Sequence, residues 1–156
     1  MPPKRLLFIC TGNFYRSRFA EAVFNHLAEE RGLPWRASSR GLAIHLADGF
    51  ISEYTREALA ARGIDLRHTP AGRVQLAERD LESADLVIAL KDGEHRPMMT
   101  ELFPAWTPKV VFWDISDLPY NPEMALPAIE REVYKLADEL QKTGISGIHS
   151  EDVSAS

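Results

Sequence analysis

The junction near the N-terminus, where an apolar run at residues 6–9 is followed at once by Cys10, constrains this chain more than any other feature. A short, continuous apolar run is typical of a strand that is buried on both faces of a parallel sheet. From Arg16 onward the apolar residues recur with the spacing of an amphipathic helix instead. The sequence therefore predicts a buried strand, a short loop and a helix, with the chain's single cysteine where the strand ends.

Patterns of the same two kinds alternate along the rest of the chain. Further strands are predicted at residues 35–39, 85–90 and 110–113, and further helices at 53–62, at 74–83 in part, at 94–102 and at 127–142. Gly32 and Gly63 end the first two helices, because glycine readily adopts the left-handed conformation found at helix C-termini. Strands that alternate with helices indicate parallel α/β layering with right-handed crossovers.

Polar side chains follow the predicted strands. Cys10 follows the first strand, Ser39 ends the second, Lys91 follows the third, and Asp114 and Asp117 follow the fourth. Ligands of parallel α/β folds bind beyond the carboxyl ends of the strands. We therefore expect these side chains to lie along one rim of the sheet.

The loop after the first strand has the composition of a phosphate site. A loop that leads into a helix presents backbone N–H groups and the positive end of the helix dipole to an anion. Gly12 allows close approach of the backbone, and Arg16 can bind two phosphoryl oxygens. The same positive field favours the nucleophilic thiolate of Cys10, to which Ser17 can donate a hydrogen bond. The predicted phosphate-binding residues are Thr11, Gly12, Asn13, Phe14, Tyr15, Arg16 and Ser17.

Composition excludes several other classes of function. A net charge of −5 without any basic run argues against nucleic-acid binding. No apolar stretch approaches the ~20 residues of a membrane helix, and the N-terminus lacks the architecture of a signal peptide. One cysteine cannot form an internal disulfide, which favours the reducing cytoplasm. The five histidines show no metal-binding spacing, so neither a metal nor another cofactor is expected.

Residues 7–24, L-F-I-C-T-G-N-F-Y-R-S-R-F-A-E-A-V-F, resemble the signature V-x-F-V-C-x-G-N-x-C-R-S-P-x-A-E of the low-molecular-weight protein tyrosine phosphatases. Later segments resemble the family in the same order: Ser39 and Gly41 in S-R-G-L, residues 63–68 ending in His68, the strand at 85–90, and residues 117–120, D-L-P-Y. The resemblance covers residues 5–142. It implies a three-layer fold with a four-stranded parallel sheet and helices on both faces. The length of the chain fits one domain, at 1–144, and the polar residues 145–156 are expected to form a disordered tail.

The resemblance also implies an activity, the hydrolysis of aryl phosphate monoesters through a phosphocysteine intermediate. Cys10 would be the nucleophile, Arg16 would bind the phosphoryl oxygens, and Asp117 would protonate the leaving group and then activate water. The implied partner is a phosphotyrosine-containing protein or a small aryl phosphate, with inorganic phosphate as product, and the enzyme is expected to be a monomer.

Further residues receive roles only through the resemblance. A network that supports the loop is implied for Asn13, Ser17, Ser39 and His68, and a pocket rim for Phe14, Tyr120 and His45. A bulky Phe14 favours a flat aryl phosphate, whereas a small polar residue at this position goes with the phosphoarginine branch of the family.

Four departures from the family pattern indicate a divergent member. Tyr15 replaces a second cysteine, which leaves Cys10 without a disulfide partner and open to over-oxidation. Arg18 replaces a proline and adds positive charge near the site, and Lys91 replaces an aspartate. Leu118 interrupts the D-P pair, so Asp114 is the reserve candidate for the general acid.

Two alternative functions stay open at this stage. An arsenate reductase on the same fold would need an external thiol, because the chain has no second cysteine. A weakly active or non-catalytic phosphate-binding member is suggested by the interrupted acid loop and by Arg18.

Overall fold

The computed structural model describes residues 2–115 and 121–143. The strands found there are β1 Lys4–Cys10, β2 Trp35–Gly41, β3 Leu86–Ala89 and β4 Val111–Phe112. The helices are α1 Arg16–Arg31, α2 Glu53–Ala61, α3 Glu78–Ser83, α4 Asp92–Leu102 and α5 Pro122–Thr143. Short 3₁₀ turns lie at Ile44–Leu46, Leu66–His68 and Thr107–Lys109. The predicted tail at 145–156 lies outside the described residues.

The strands form one parallel sheet in the order β2-β1-β3-β4. The apolar run of β1 is buried on both faces, since Leu6 and Phe8 face one core and Leu7 and Ile9 face the other. The prediction of a four-stranded parallel sheet is confirmed. Because all of the strands are parallel, their carboxyl ends lie at one edge of the sheet.

Helices cover both faces of the sheet. One core contains Phe24 of α1, Leu59 of α2 and Ile129 of α5, and the other contains Leu81 of α3 and Met99 of α4. The predicted three-layer α/β fold is therefore confirmed. None of the helices described is both long enough and apolar enough to cross a membrane.

The last helix begins five residues before its predicted start, at Pro122 instead of Pro127. Proline is favourable at the first helical position, where its missing N–H costs nothing. The first turn closes on Asn121, whose carbonyl accepts from the backbone N–H of Ala125 at 3.0 Å. The helix continues through Pro127 with Leu126 and Ile129 buried on either side of it.

The outer edge of β2 is closed by a side chain of α1. The buried amide of Asn25 accepts from the backbone N–H of Ala37 at 2.8 Å and donates to the carbonyl of the same residue at 3.0 Å. It also donates to the carbonyl of His68 at 3.0 Å. One side chain thus takes the place of a strand partner at Ala37 and joins α1, β2 and the turn Leu66–His68.

We expect Asn25→Ala to lower the free energy of unfolding by about 2–4 kcal/mol, because buried backbone groups would be left without partners at about 1–3 kcal/mol each. Urea denaturation checks this. Glu30→Ala, at an exposed position of the same helix, is the matched control. Equal denaturation midpoints for the two variants would contradict the role given to Asn25.

Candidate active site

Residues 11–15, called loop 11–15 below, join β1 to α1, and most of their backbone carbonyls are bound from outside the loop. Four of these carbonyls and that of Cys10, which precedes the loop, each accept a hydrogen bond from a surrounding element. The bonds are Leu42 N to Cys10 O at 2.9 Å, Ala43 N to Thr11 O at 2.8 Å, Arg73 Nε to Gly12 O at 3.1 Å, Ser52 N to Phe14 O at 2.8 Å and Thr55 Oγ1 to Tyr15 O at 3.0 Å.

These outward bonds determine the direction of the N–H groups. In a trans peptide the C=O and the following N–H point in opposite directions. Carbonyls bound on the outside therefore direct the next N–H groups, those of Thr11, Gly12, Asn13, Tyr15 and Arg16, towards the inner side of the loop. A concave set of N–H groups at the N-terminus of α1 has the geometry of an anion-binding site.

Asn13 holds the loop from within. Its φ of 50° lies in the left-handed region, which Asn tolerates better than most residues. Its buried amide accepts from Val74 N at 2.8 Å and donates to Ser17 Oγ at 2.9 Å and to Ser39 Oγ at 3.0 Å. The structure thus brings together three of the four residues predicted for the supporting network.

The same network reaches the sulfur of Cys10, which donates from its thiol to Ser17 Oγ at 2.9 Å. The Asn13 amide nitrogen can only donate, so it occupies an acceptor position of Ser17 and leaves the hydroxyl hydrogen able to rotate. In the thiolate state the direction reverses, and Ser17 donates to sulfur.

Beyond Ser39 the network ends on a buried carboxylate. Ser39 Oγ donates to Glu21 Oε1 at 2.7 Å, and Thr69 Oγ1 donates to the same oxygen at 2.6 Å. Burial raises the pKa of Glu21, while the two hydroxyls and the charge of Arg18 act in the opposite direction. Arg18 Nε donates to Thr69 Oγ1 at 2.6 Å.

His68, the fourth predicted network residue, makes other contacts. Its ring lies edge-on against His26 with 5.7 Å between centroids, and its backbone carbonyl accepts from Asn25. Burial, with the charge of Arg67 as a second cause, lowers the pKa of His68. The hydrogen bonds that the structure describes pass through the neighbouring Thr69 instead.

Arg18, expected to add positive charge near the site, is fully buried with 0% of its surface exposed. It donates to Phe50 O at 2.7 Å and to Thr69 O at 3.2 Å, and its guanidinium lies 4.9 Å from the Phe50 ring centroid. Burial lowers the pKa of Arg18. Arg18 thus joins α1 to the segment after β2, a role that its position in the motif does not reveal.

Arg73 also contacts the loop, although it is not among the residues predicted for the site. Besides Gly12 O, it binds Gly49 O at 3.3 Å and Ile44 O, and its guanidinium lies 5.9 Å from the ring centroid of Phe14. Arg73 therefore joins loop 11–15 to the segment after β2. No local pattern around residue 73 indicates this role, because its partners lie 24 to 61 positions away in the chain.

Arg16, the predicted phosphate ligand, binds Glu94 of α4. Its Nη1 and Nη2 donate to the two carboxylate oxygens at 3.2 and 2.7 Å. Thr11 Oγ1 also donates to Glu94 Oε2, and His95 Nε2 lies 3.2 Å from that oxygen. The contact with His95, followed by those with Arg16 and Thr11, holds the pKa of Glu94 well below its usual range. Glu94 is not among the residues predicted for the site; a helix that starts at Asp92 puts it in the first turn, at the predicted rim.

The remaining predicted residues are dispersed. Phe14 is half-buried beside Arg73, and His45 is exposed in the turn Ile44–Leu46. Asp117 and Tyr120 lie outside the described residues, so their predicted roles stay predictions.

Asp114, the reserve candidate for the general acid, is 79% exposed and binds Lys91 Nζ at 3.1 Å. Within residues 2–115 and 121–143, no group of His, Cys, Asp and Glu side chains is arranged to hold a metal ion.

The family model for low molecular weight phosphotyrosine protein phosphatase matches residues 5–145. The chain belongs to this family. It is 35% identical over 105 residues to a protein-arginine-phosphatase of Bacillus subtilis, across 67% of each chain. It is 37% identical over 92 residues to the low molecular weight protein-tyrosine-phosphatase YfkJ of the same species, across 58% of this chain and 57% of that one.

Solved structures of the family share the fold over most of their length. The crystal structure of YfkJ from Bacillus subtilis matches with a TM-score of 0.77 at 26% identity, over 92% of this chain and 98% of that one. A mutant of the YwlE arginine phosphatase with a phosphorylated active site serine matches with a TM-score of 0.74 at 28% identity, over 88% and 96%.

Gly41 provides a test of the loop's support, because a Cβ there would lie 2.8 Å from Thr11 O and 2.9 Å from Asn13 N. We expect Gly41→Ala to displace loop 11–15 and to lower aryl phosphate hydrolysis about a hundredfold, since a 1 Å misplacement has roughly that effect. Gly93→Ala, at a position with nothing within 4 Å, is the control. Steady-state rates compare the two, and an unimpaired Gly41→Ala would show that the loop does not need this contact.

Proposed function

We propose that this protein is a protein tyrosine phosphatase that hydrolyses aryl phosphate monoesters through a phosphocysteine intermediate on Cys10. The observation that carries the proposal is the set of hydrogen bonds that hold the carbonyls of loop 11–15 on its outer side, because they turn the following N–H groups inward next to the strand end that carries the thiol. Membership of the family supports it, and so does the 2.9 Å contact between Cys10 Sγ and Ser17 Oγ.

In the first step the phosphoryl oxygens accept hydrogen bonds from the loop N–H groups and from Arg16. The Cys10 thiolate attacks phosphorus, so the S–P bond forms as the bond from phosphorus to the aryl oxygen breaks. Asp117 gives its proton to the leaving oxygen, and a phenol departs.

In the second step water attacks the phosphocysteine. Asp117, now ionised, takes the water proton, and the S–P bond breaks with its electron pair returning to sulfur. The hydroxyl of Ser17 donates to the departing thiolate, which makes sulfur a better leaving group. Inorganic phosphate is released, and no step needs a cofactor.

Asp117 is preferred to Asp114 as the acid. The Asp114 carboxylate already binds the ammonium of Lys91 at 3.1 Å, and its side chain is largely exposed. A general acid has to come within hydrogen-bonding distance of the leaving oxygen in a site from which water is excluded. An exposed, ion-paired carboxylate meets that condition poorly.

Aryl phosphate is preferred to phosphoarginine as the substrate class, although the relatives include phosphatases of both kinds. Phe14 offers an aromatic face on which an aryl ring can stack. The guanidinium of Arg73 lies 5.9 Å from the Phe14 ring and repels the cationic guanidino group of a phosphoarginine. Exposed Leu46 and Phe50, between β2 and α2, and exposed Tyr54 in the first turn of α2 add apolar surface that a protein substrate can contact.

A reducing compartment, the cytoplasm, suits such an enzyme. Cys10 is the only cysteine of the chain, so no internal disulfide can protect it from over-oxidation. We further propose that the protein acts as a monomer on phosphotyrosine-containing proteins.

Turnover of p-nitrophenyl phosphate by three variants tests the mechanism. Cys10→Ser should abolish turnover, and Asp117→Ala should lower kcat about 10²–10⁴-fold with KM little changed, since that is the usual contribution of a general acid. Asp114→Ala is the matched control and should remain close to wild type. Hydrolysis that survives Cys10→Ser would overturn the proposal; damage confined to Asp114→Ala would move the acid to that residue. Phosphate binding without any turnover by the wild type would favour a non-catalytic member.

Phe14→Thr tests the substrate class. We expect the ratio of kcat/KM for a phosphotyrosine peptide to that for a phosphoarginine peptide to fall about tenfold, because an aromatic pair is worth about 0.5–1.5 kcal/mol. Parallel phosphate-release assays with peptides of equal length provide the measurement. A wild type that prefers phosphoarginine would contradict the assignment at once.

A further inference from the structure

The guanidinium of Arg16 is held by a carboxylate from a distant part of the chain. Glu94 lies in the first turn of α4 and binds Nη1 and Nη2 of Arg16 with its two oxygens, at 3.2 and 2.7 Å. The Arg16 side chain is 8% exposed. Two parallel, charge-assisted bonds in a largely buried place fix the orientation of a guanidinium as well as its position.

A guanidinium can bind two anions along different edges. Its five N–H groups form one fork between Nη1 and Nη2 and a second fork between Nε and Nη2. Glu94 uses the first fork. A phosphoryl group can therefore use the second fork of Arg16 while Glu94 remains bound.

Glu94 is itself held in place. Thr11 Oγ1 donates to Oε2, and His95 Nε2 lies 3.2 Å from the same oxygen. The backbone N–H of Lys91 donates to His95 Nδ1 at 3.0 Å, so the neutral ring carries its proton on Nε2, facing Glu94. His95 is fully buried. The carboxylate thus has fixed partners on loop 11–15 and on α4.

Glu94 also stays ionised, in addition to being fixed in position. Its pKa lies well below the usual range, because the hydrogen bonds from His95, Arg16 and Thr11 outweigh the effect of burial. A carboxyl with a lowered pKa stays ionised as the pH falls through the range where an ordinary glutamate takes up a proton. Glu94 therefore keeps its charge towards Arg16 at a pH where an ordinary glutamate would be partly neutralised.

We propose that Glu94 is a positioning residue of the phosphatase reaction, which holds Arg16 in the orientation that binds the phosphoryl group and is itself oriented by Thr11 and His95. The proposal rests on the proposed function, because Arg16 is taken there as the phosphoryl ligand. In the opposite arrangement the carboxylate would occupy the place of the phosphoryl group and would have to leave before substrate binds. Removing its charge would then lower the Ki of inorganic phosphate instead of raising it.

Glu94→Gln keeps the shape of the side chain and removes its charge. We expect kcat/KM for p-nitrophenyl phosphate to fall about tenfold or more and the Ki of inorganic phosphate to rise by a similar factor, since charge-assisted bonds are about twice as strong as neutral ones. Asp92→Asn is the matched control, because Asp92 lies in the same turn of α4 and pairs with Arg96 on the surface. Its kinetics should equal those of the wild type.

A double-variant cycle separates positioning from general support of the fold. If Glu94 acts through Arg16, then Glu94→Gln should add almost nothing to the loss in an Arg16→Ala background. Full additivity of the two losses would overturn the proposal, and so would a lower Ki of phosphate in Glu94→Gln, which is the result expected of a competing carboxylate. Should Glu94→Gln fail to fold, Thr11→Val, which removes one donor to the carboxylate, should raise the Ki in the same direction but by less.

Phosphate binding can also be measured without turnover. Inorganic phosphate bound in the loop should protect Cys10 against alkylation by iodoacetate. Protection that weakens in Glu94→Gln but not in Asp92→Asn supports the positioning role. Equal protection in the wild type and Glu94→Gln overturns it. Failure of the proposed function has a different signature, namely a wild type that phosphate protects but that does not hydrolyse aryl phosphate.

Discussion

The site depends above all on the way in which the surrounding elements bind the carbonyls of loop 11–15 from outside. Backbone N–H and C=O groups of one peptide are rigidly opposed, so every outward carbonyl turns an N–H inward. The donors come from the segments after β2 and around Arg73 and from the start of α2. An anion site is therefore a property of the packed fold, and the loop cannot keep this shape once those segments move away.

The hydrogen-bonded path behind the loop shows how a nucleophile is joined to the core. It runs from Cys10 through Ser17, Asn13 and Ser39 to the buried carboxyl of Glu21. Burial opposes the charge of Glu21, yet its hydrogen bonds and a nearby buried arginine favour it. Polar groups in such a network are costly if one partner is lost, which makes the whole path rigid and the position of the sulfur well defined.

The sequence predicts those parts of the structure that are encoded locally. The strand, the thiol and the helix start follow one another directly, so periodicity and motif chemistry suffice for β1, Cys10 and α1. A correct start of α4 would bring Glu94 to the predicted rim, but its pairing with Arg16, like the contacts of Arg73, depends on how distant elements pack against the loop. Arg18 was recognised as unusual, but whether its side chain enters solvent or the core is decided by tertiary packing. The sequence pattern does not predict the early start of α5, because a proline inside a helical pattern usually indicates a helix boundary.

The three arginines around the loop have different functions because their partners differ in charge. Arg73 binds neutral carbonyls, so its positive charge is not cancelled by those contacts and contributes to the field at the mouth of the site. Arg18 binds a hydroxyl and two carbonyls in the core, within the electrostatic reach of Glu21. Arg16 binds the carboxylate of Glu94, which fixes its orientation and partly balances its charge. In a chain with a net charge of −5, the positive charge at the loop therefore depends on what each arginine binds, since Glu94 offsets part of the charge of Arg16 and the carbonyls bound to Arg73 offset none of its charge.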